Sequence, residues 1–340
     1  MKRLLVIGVI LATVILILPT MLVIFLTNNP ETTQPTHQAV AEVSTESVPT
    51  NNISVAVFRS KQDTIEEIGL EEYVIGVVAS EMGPNFEPEA LKAQAIAART
   101  YIVRHMLNPN GKDDRKLPDG ATVNDTEMYQ VYHSPEELKA KWSDYEANMN
   151  KIRQAVYATQ GEVLTFEGEP IEALFFSTSN GYTENSEEYW TGEIPYLRSV
   201  ESPWDKESPR YEGQTQITVQ DMETKLGVTL PPGDEIGEIV SRTSGNRVAK
   251  VIINNKEISG RDVREALGLD SSDFQWHRNG NTITFVTRGW GHGVGMSQYG
   301  AEGMAKEGKT YKEIIDHYYN GVSLTTVEPF VGALMAHSGE

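Results

Sequence analysis

The chain has 340 residues, no cysteine and a formal net charge of −19. The lack of cysteine excludes disulfides and thiolate metal sites. The negative charge disfavours nucleic acid and anionic lipid headgroups as extensive partners, whereas an uncharged glycan would not be repelled.

The first 27 residues are predicted to form a membrane anchor. Lys2 and Arg3 precede a run from Leu4 to Thr27 that contains no charged residue. About 20 apolar residues cross the hydrocarbon core of a bilayer, and no small-residue cleavage site follows, so we expect the span to be retained. The basic residues lie before the span, which predicts a cytoplasmic N-terminus and an extracytoplasmic C-terminal part. The alternative, a buried core helix, fits the length and flanks less well.

Residues 28–52 are rich in Thr, Ser, Pro and Glu and contain almost nothing large to bury. Such a composition predicts a flexible tether. Residues 53–340 then become periodic and aromatic. We expect them to form a two-lobed α+β domain with a small α+β subdomain at about 215–287, where short helical and strand patterns alternate.

The periodicity predicts the following elements in chain order. Strands are expected at 53–59, 127–133, 162–166 and 171–177, and helices at 70–82, 88–106 and 134–159, with a loop at 108–125. The Asn180-Gly181 pair predicts a turn. A Gly-rich loop from Arg288 to Gly300 follows the subdomain and precedes two further helices that end near Tyr319.

Glu81 is the candidate catalytic residue. On a helix over 70–82 it lies among apolar positions such as Leu70, Val74 and Val78. A carboxyl in apolar surroundings has a raised pKa, which keeps a general acid protonated near neutral pH. The alternative is a residue at a helix end that reaches solvent or pairs with a Lys or Arg. Glu71, near the same stripe, occupies the first turn, where the helix dipole favours a negative charge.

Lys92 and Arg99 are seven residues apart on one face of the next predicted helix. The ordinary interpretation of both is a solvated surface, and the functional interpretation is that they line a cleft. Ala90, Ala93 and Ala97 on the same helix allow close approach of a neighbouring helix.

The Gly-rich loop has the sequence RGWGHGVGMSQYG. It lacks the glycine spacing of a dinucleotide fingerprint and the Lys-Ser/Thr pair of a phosphate loop, so nucleotide binding is disfavoured. Glycines allow close backbone approach. The loop also supplies a flat apolar face and hydrogen-bonding groups suited to sugars, from Trp290, His292, Ser297, Gln298 and Tyr299. A tight structural turn with a packed Trp is the alternative.

Two other kinds of site are weakly supported. A Ser-His hydrolase using Ser297 and His292 lacks a G-x-S-x-G elbow and an identifiable orienting acid. The seven histidines form no metal-binding motif, so no metal or other cofactor is expected.

The segment FFSTSNGYTE ends a predicted strand in a turn that displays Ser177, Thr183 and Glu184. Tyr196 follows, with Trp190 and Trp204 nearby. Aromatic residues at this density are more often part of a core than sugar-binding platforms. Ser177, Thr183 and Tyr196 are nevertheless candidates for substrate binding.

Three segments resemble the stage II sporulation protein D family: LEEYVIGVVASEM with PEALKAQAIAARTY, FFSTSNGYTENSEEYW, and GWGHGVGMSQYGA. The resemblance covers roughly residue 53 to the end, and the predicted anchor is similar to that of membrane-bound sporulation members. It implies a lytic transglycosylase that cuts peptidoglycan glycan strands during forespore engulfment, from the mother-cell membrane facing the forespore. It also implies an amidase and a membrane scaffold protein as partners, and the family's helix-motif glutamate corresponds to Glu81.

A single carboxyl suits that chemistry. Ordinary glycosidases use two carboxyl groups, but a lytic transglycosylase uses the 6-hydroxyl of the muramic acid as the nucleophile, which benefits from proximity. Relatives are also described as amidase enhancers, so a non-enzymatic binder of wall or amidase is the alternative. A buried Glu81 favours the enzyme, because a binding module gains nothing from a buried acid.

Overall fold

The computed structural model describes residues 53–108 and 117–337. Helices and strands are interspersed in it, as in an α+β protein. The helices are α1 Leu70–Glu81, α2 Pro88–Leu107, α3 Pro135–Lys141, α4 Tyr145–Tyr157, α5 Ser186–Tyr189, α6 Val219–Leu226, α7 Gly260–Leu267, α8 Gln298–Lys306, α9 Tyr311–Tyr318 and α10 Val331–His337. The strands are β1 Ser54–Arg59, β2 Thr64–Gly69, β3 Val123–Asn124, β4 Glu162–Phe166, β5 Glu169–Pro170, β6 Phe175–Phe176, β7 Glu212–Thr218, β8 Glu238–Arg242, β9 Val248–Ile253, β10 Lys256–Ser259, β11 Phe274–Asn279, β12 Thr282–Arg288, β13 Met296–Ser297 and β14 Ser323–Thr326.

Helices α1 and α2 form the centre of the larger hydrophobic core. Both were predicted, and they end within a residue of the predicted positions. Pro88 begins α2, where a missing N–H costs nothing. The fully buried Ala90, Ala93 and Ala97 leave room for α2 to pack closely against α1, α4 and α8.

Small sheets surround these helices. Strand β1, confirmed as predicted, pairs antiparallel with β2 and parallel with β3. Strand β2 was not predicted because it is mostly exposed and carries the acidic pair Glu66 and Glu67. The predicted strand at 171–177 is reduced to β6, which pairs in parallel with β13, a two-residue strand within the Gly-rich loop.

Two predictions before β4 are wrong in detail. Residues 127–133 form no strand, because their polar groups bond to side chains and turns instead of to a neighbouring strand. The helix predicted at 134–159 is two helices, α3 and α4. It begins at the Ser134 capping box, as predicted, but breaks at residues 142–144, where Ser143 and Asp144 favour non-helical backbone.

A second hydrophobic core is built from buried residues between Met222 and Phe285. Helices α6 and α7 begin alike: Thr218 and Ser259 each accept a hydrogen bond from a backbone N–H three residues on. Both helices end at a left-handed glycine, Gly227 or Gly268. They contact two three-stranded sheets with the orders β10-β9-β8 and β11-β12-β7.

The chain then returns to the larger core. Helices α8 and α9, predicted after the Gly-rich loop, are both present. Beyond them β14 pairs antiparallel with β4, and α10 contacts α2, two elements that were not predicted.

The structure does not test the predicted anchor and tether. Residues 1–27 and 28–52 lie outside the described residues, as does most of the first half of the predicted loop at 108–125. Among the helices in the described ranges, none is both long enough and apolar enough to cross a bilayer.

Candidate functional site

A cleft of about 1560 Å³ lies in the folded unit and receives residues from both cores. Acidic, aromatic, amide and basic side chains share its walls. They include Glu81, Phe86, Glu127, Gln130, Val131, Glu172, Phe176, Ser177, Tyr189, Trp190, Arg210, Arg261, Arg264, Glu265, Trp290, His292, Gln298 and Tyr299. The cleft therefore collects, in one place, much of the chemistry that the sequence spreads over more than 200 residues.

Glu81 is the last residue of α1 and is half-buried in the cleft wall. Its Oε1 accepts a hydrogen bond from the backbone N–H of Val131 at 2.9 Å. Burial raises the pKa of Glu81, while the hydrogen bond from Val131 and the nearby amide of Gln298 oppose that rise. The net direction is upward, so this carboxyl keeps its proton to a higher pH than an ordinary glutamate does.

Two glutamine amides are buried in the cleft wall. The Gln298 side chain is 5% exposed, and Gln130 is 1% exposed. Oε1 of Gln130 accepts from the Tyr73 hydroxyl at 3.2 Å, but the Nε2 atoms of both glutamines make no hydrogen bond of normal geometry within the described part of the chain. An unsatisfied buried donor costs roughly 1–3 kcal/mol, so a carbonyl or hydroxyl oxygen of a ligand would gain from pairing with either.

Aromatic rings surround His292 in the cleft wall. The rings of Phe176, Tyr189 and Trp190 have centroids 5.6, 5.8 and 5.2 Å from the imidazole. Burial, with the nearby charges of Arg264 and Arg247, lowers the pKa of His292 to about 3. The ring is therefore neutral, and its Nδ1 accepts from the Val294 N–H at 3.1 Å. A neutral imidazole fixed in this way can shape the cleft and hydrogen-bond, but it carries no charge near neutral pH.

The alternate glycines of the Gly-rich loop all have positive φ, between 81° and 111°. These glycines allow the loop to pack closely against neighbouring parts of the chain. A Cβ on Gly295 would lie 2.1 Å from the Leu174 carbonyl oxygen, and one on Gly293 would lie 2.5 Å from Cζ of Arg247. The glycines thus let the loop lie directly against the segment around β6, just before Ser177, and this contact holds Trp290 and His292 at the cleft.

The structure brings six of the residues predicted from the sequence together in the cleft: Glu81, Ser177, Trp290, His292, Gln298 and Tyr299. Trp290 is 38% exposed and offers a ring face. Tyr299 packs against Phe86 at 5.1 Å between ring centroids, beside the helix that carries Glu81.

Lys92 and Arg99 lie elsewhere. Nζ of Lys92 is 2.6 Å from Oε1 of Glu89 and does not line the cleft. Arg99 is fully buried, so neither interpretation of it was right. Its Nη2 lies 2.6 Å from Oε2 of Glu71, and it also donates to the carbonyl oxygens of Val156 and Glu162. This ion pair fastens α1 and α2 to the end of α4 and the start of β4.

Thr183, Tyr196 and Ser297 also have structural partners. Thr183 Oγ1 accepts from the Val200 N–H at 2.9 Å, and the Tyr196 hydroxyl accepts from the Glu172 N–H at 3.0 Å. Ser297 caps α8 and donates to the buried carboxylate of Asp205. None of the three lines the cleft, because each is buried with its polar atom turned to the backbone or to Asp205.

Glu184 is likewise buried and pairs with Arg247 at 2.9 Å. Its backbone N–H donates to the Gly293 carbonyl at 2.8 Å. The pair therefore ties the Asn-Gly segment to the Gly-rich loop and to β9.

The contributions of Gln130 and Val131 were missed. Their only signal in the sequence is an alternating pattern that is typical of a strand. A grouping of His, Asp and Glu side chains that could hold a metal ion is not found among the residues with described positions. The chemistry nearest Glu81 comes from the Val131 N–H and the Gln298 amide.

These features define an α+β protein with a polar cleft, in whose wall one half-buried carboxyl, Glu81, lies at a helix end. The family model "Stage II sporulation protein" matches residues 59–166, which carry Glu81, Gln130 and Val131. The chain is 50% identical over 335 residues to stage II sporulation protein D of Bacillus subtilis (strain 168), covering 96% of this chain and 97% of that protein. The corresponding protein of Bacillus amyloliquefaciens is 55% identical over 285 residues, or 84% and 82% of the two chains. The chain belongs to the stage II sporulation protein D family.

A more distant relative has a different name. The amidase enhancer of Bacillus subtilis (strain 168) is 30% identical over 311 residues, which cover 74% of this chain and 40% of that protein.

Proposed function

We propose that this protein is a peptidoglycan lytic transglycosylase that acts in sporulation, during forespore engulfment. It cuts the bond between N-acetylmuramic acid and N-acetylglucosamine and leaves 1,6-anhydro-muramic ends. The observation that carries the proposal is Glu81: a carboxyl with a raised pKa, held by the Val131 N–H in a cleft of about 1560 Å³.

The reaction needs one carboxyl group in two roles. Protonated Glu81 donates its proton to the glycosidic oxygen, and the bond from that oxygen to C1 of the muramic acid breaks. The 6-hydroxyl of the same sugar then attacks C1, and its proton passes to the Glu81 carboxylate. The acid is restored without a second protein nucleophile, and the attack benefits from being intramolecular.

Other side chains of the cleft suit the neutral parts of a sugar chain. Trp290 and Tyr299 present aromatic rings against which a sugar face can pack. The buried amide nitrogens of Gln130 and Gln298 can donate to acetamido carbonyl or hydroxyl oxygens.

We also propose a location and partners for the protein. Residues 1–27 would anchor the chain in the mother-cell membrane with the cleft outside the cytoplasm, facing the forespore, and residues 28–52 would allow reach to the wall. The name of the amidase enhancer supports a link to a peptidoglycan amidase, and a membrane scaffold protein would complete the engulfment complex.

Purified glycan strands incubated with the purified, detergent-solubilised full chain test the activity. The expected products are shorter strands with anhydro-muramic ends, detected by mass spectrometry. Reducing ends formed by hydrolysis, or intact strands, would refute a lytic transglycosylase.

A second candidate function, non-enzymatic activation of an amidase, is favoured by the same relative. It predicts that the chain leaves glycan strands intact but raises the rate at which a purified sporulation amidase releases stem peptides. Adding the amidase to the same assay separates the two functions, because one yields anhydro ends and the other yields free peptide.

A further inference from the structure

Three arginines line part of the cleft in a chain whose net charge is −19. Arg261 and Arg264 come from α7 of the second core, and Arg210 comes from the segment before β7. Trp290 and Tyr189 stand beside them. The acids Glu81, Glu127, Glu172 and Glu265 also line the cleft, so its wall carries charges of both signs.

The three arginines differ in what neutralises them. Nε of Arg261 lies 2.8 Å from Oε1 of Glu265, which forms an ion pair with it. Arg264 donates to the Tyr189 hydroxyl at 2.9 Å and to the Asp270 backbone carbonyl at 3.3 Å. Within residues 53–108 and 117–337, no carboxylate is at ion-pair distance from Arg210 or Arg264. Both charges act on the Asp270 carboxyl: burial raises the pKa of Asp270, and the charges of Arg264 and Arg210 oppose that rise.

Arg210 is also held in place. It is exposed, and its guanidinium carbon lies 4.4 Å from the centroid of the Trp290 ring. Stacking on an aromatic face leaves the edge of the guanidinium, with its N–H donors, free for an anion. A planar, pre-oriented guanidinium loses less conformational entropy on binding a carboxylate than a flexible lysine does.

We propose that Arg210 and Arg264 form an anion subsite of the cleft that binds a carboxylate carried by the glycan. This inference rests on the proposed glycan substrate and adds a charged recognition element to it. N-acetylglucosamine is neutral, so the carboxylate has two sources: the lactyl group of a muramic acid without peptide, or the stem peptide of a substituted one. Both present the planar anion that an arginine pairs with in a bidentate manner.

Equilibrium binding tests the subsite without requiring turnover. The full chain carrying Glu81→Gln keeps the probes intact. Four probes are compared by calorimetry: chitohexaose, a peptide-free fragment of alternating N-acetylglucosamine and N-acetylmuramic acid, the same fragment with its lactyl carboxyls converted to methylamides, and a fragment with stem peptides.

Arg210→Gln should weaken binding of the peptide-free fragment about tenfold, as expected for loss of a charge-assisted pair, and leave chitohexaose unchanged. Arg288→Gln is the matched control. It removes an equal charge from an exposed position two residues from Trp290 that does not line the cleft, and it should change neither affinity.

The methylamide fragment should bind as weakly as chitohexaose. Retained affinity for the peptide-bearing fragment would identify stem-peptide carboxylates as ligands too, and its loss would identify the lactyl carboxylate alone. Equal affinity for the charged and methylamide fragments, or an equal effect of Arg210→Gln on chitohexaose, would overturn the proposal. A binding difference in a protein that cuts no glycan would refute the lytic activity and leave the subsite standing.

Discussion

The backbone N–H of Val131 donates to Oε1 of Glu81 across 50 positions of sequence. The segment around Val131 is itself fixed to α1. Nδ1 of His133 lies 2.6 Å from Oγ of Ser80. The Tyr132 ring stacks on the Tyr73 ring, with the two centroids 5.6 Å apart. The acid and its hydrogen-bond donor are therefore positioned by the same helix.

Glu81→Gln should abolish most of the cleavage and leave the fold intact. Glutamine keeps an oxygen that accepts from Val131 but cannot protonate the glycosidic oxygen. The rate should fall about 10²–10⁴-fold, the usual contribution of a positioned acid-base group. Release of anhydro-muramic ends and thermal unfolding are to be measured on the same sample.

Glu81→Ala is the companion variant. It removes the acceptor as well, so it should lose both activity and some stability, by about 1–3 kcal/mol if the Val131 N–H is left unpaired. A folded Glu81→Gln protein with normal cleavage would refute the assignment and shift attention to the other carboxyl groups of the cleft.

The pH dependence of cleavage should reflect the raised pKa of Glu81. The first step needs the protonated acid, so kcat/KM should decline as pH rises through this pKa, which lies above that of an ordinary glutamate. A rate profile between pH 4 and 9 checks this. A decline that begins at the pKa of an exposed glutamate would show that burial in the cleft does not tune the acid.

How far the sequence predicts this site depends on how local each signal is. Glu81 lies on a helix whose apolar spacing is visible within 13 residues, so its setting can be predicted. Val131 and Gln130 cannot be found in this way, because an alternating pattern does not reveal that their polar groups bond to α1 and not to a neighbouring strand. The Gly-rich loop was predicted as a loop, but the packing of its glycines against Leu174 and Arg247 depends on contacts distant in sequence.

Charged residues illustrate the same limit. Arg99 and Lys92 have the same helical spacing pattern, yet one is fully buried and the other is not. The difference arises from Glu71, 28 residues away from Arg99, and from carbonyl groups of a third and a fourth element. No pattern within α2 contains that information.

Gln298→Met should weaken glycan binding while the fold persists. The substitution keeps the length and shape of the side chain but removes the buried Nε2 donor next to Glu81. We expect KM for glycan to rise several-fold, since one hydrogen bond contributes about 0.5–1.5 kcal/mol.

The matched control for that experiment is Gln94→Met. Gln94 is also fully buried with its amide atoms unpaired among the described residues, but it lies on α2 away from the cleft. It should leave KM unchanged. If both variants bind glycan normally, Gln298 has no role in recognition.

Arg99→Met should destabilise the protein strongly. It would leave the Glu71 carboxylate buried and unpaired, and breaking a buried ion pair from one side costs roughly 3–5 kcal/mol. Lys92→Met removes an equal charge from the partly exposed pair with Glu89, which should change stability by less than about 1 kcal/mol. Chemical denaturation of both variants gives the comparison. Loss of activity without loss of stability in Arg99→Met would instead indicate a role in substrate binding.

His292→Asn should reduce the acid sensitivity of the fold. In the folded protein the pKa of His292 is lowered to about 3 from an ordinary value of 6.5. Between these values the unfolded chain binds a proton that the folded chain does not, so His292 makes the folded state progressively less stable as pH falls below 6.5. Asparagine does not titrate, and its side-chain oxygen can still accept from the Val294 N–H. The denaturation midpoint should therefore fall less between pH 7.5 and pH 5 in the variant than in the parent chain.

His277→Asn, at an exposed position of β11, is the control and should retain the parental pH dependence. If His292→Asn shows the parental fall as well, then the imidazole is protonated in the folded protein and the aromatic wall of the cleft carries a positive charge at mildly acidic pH.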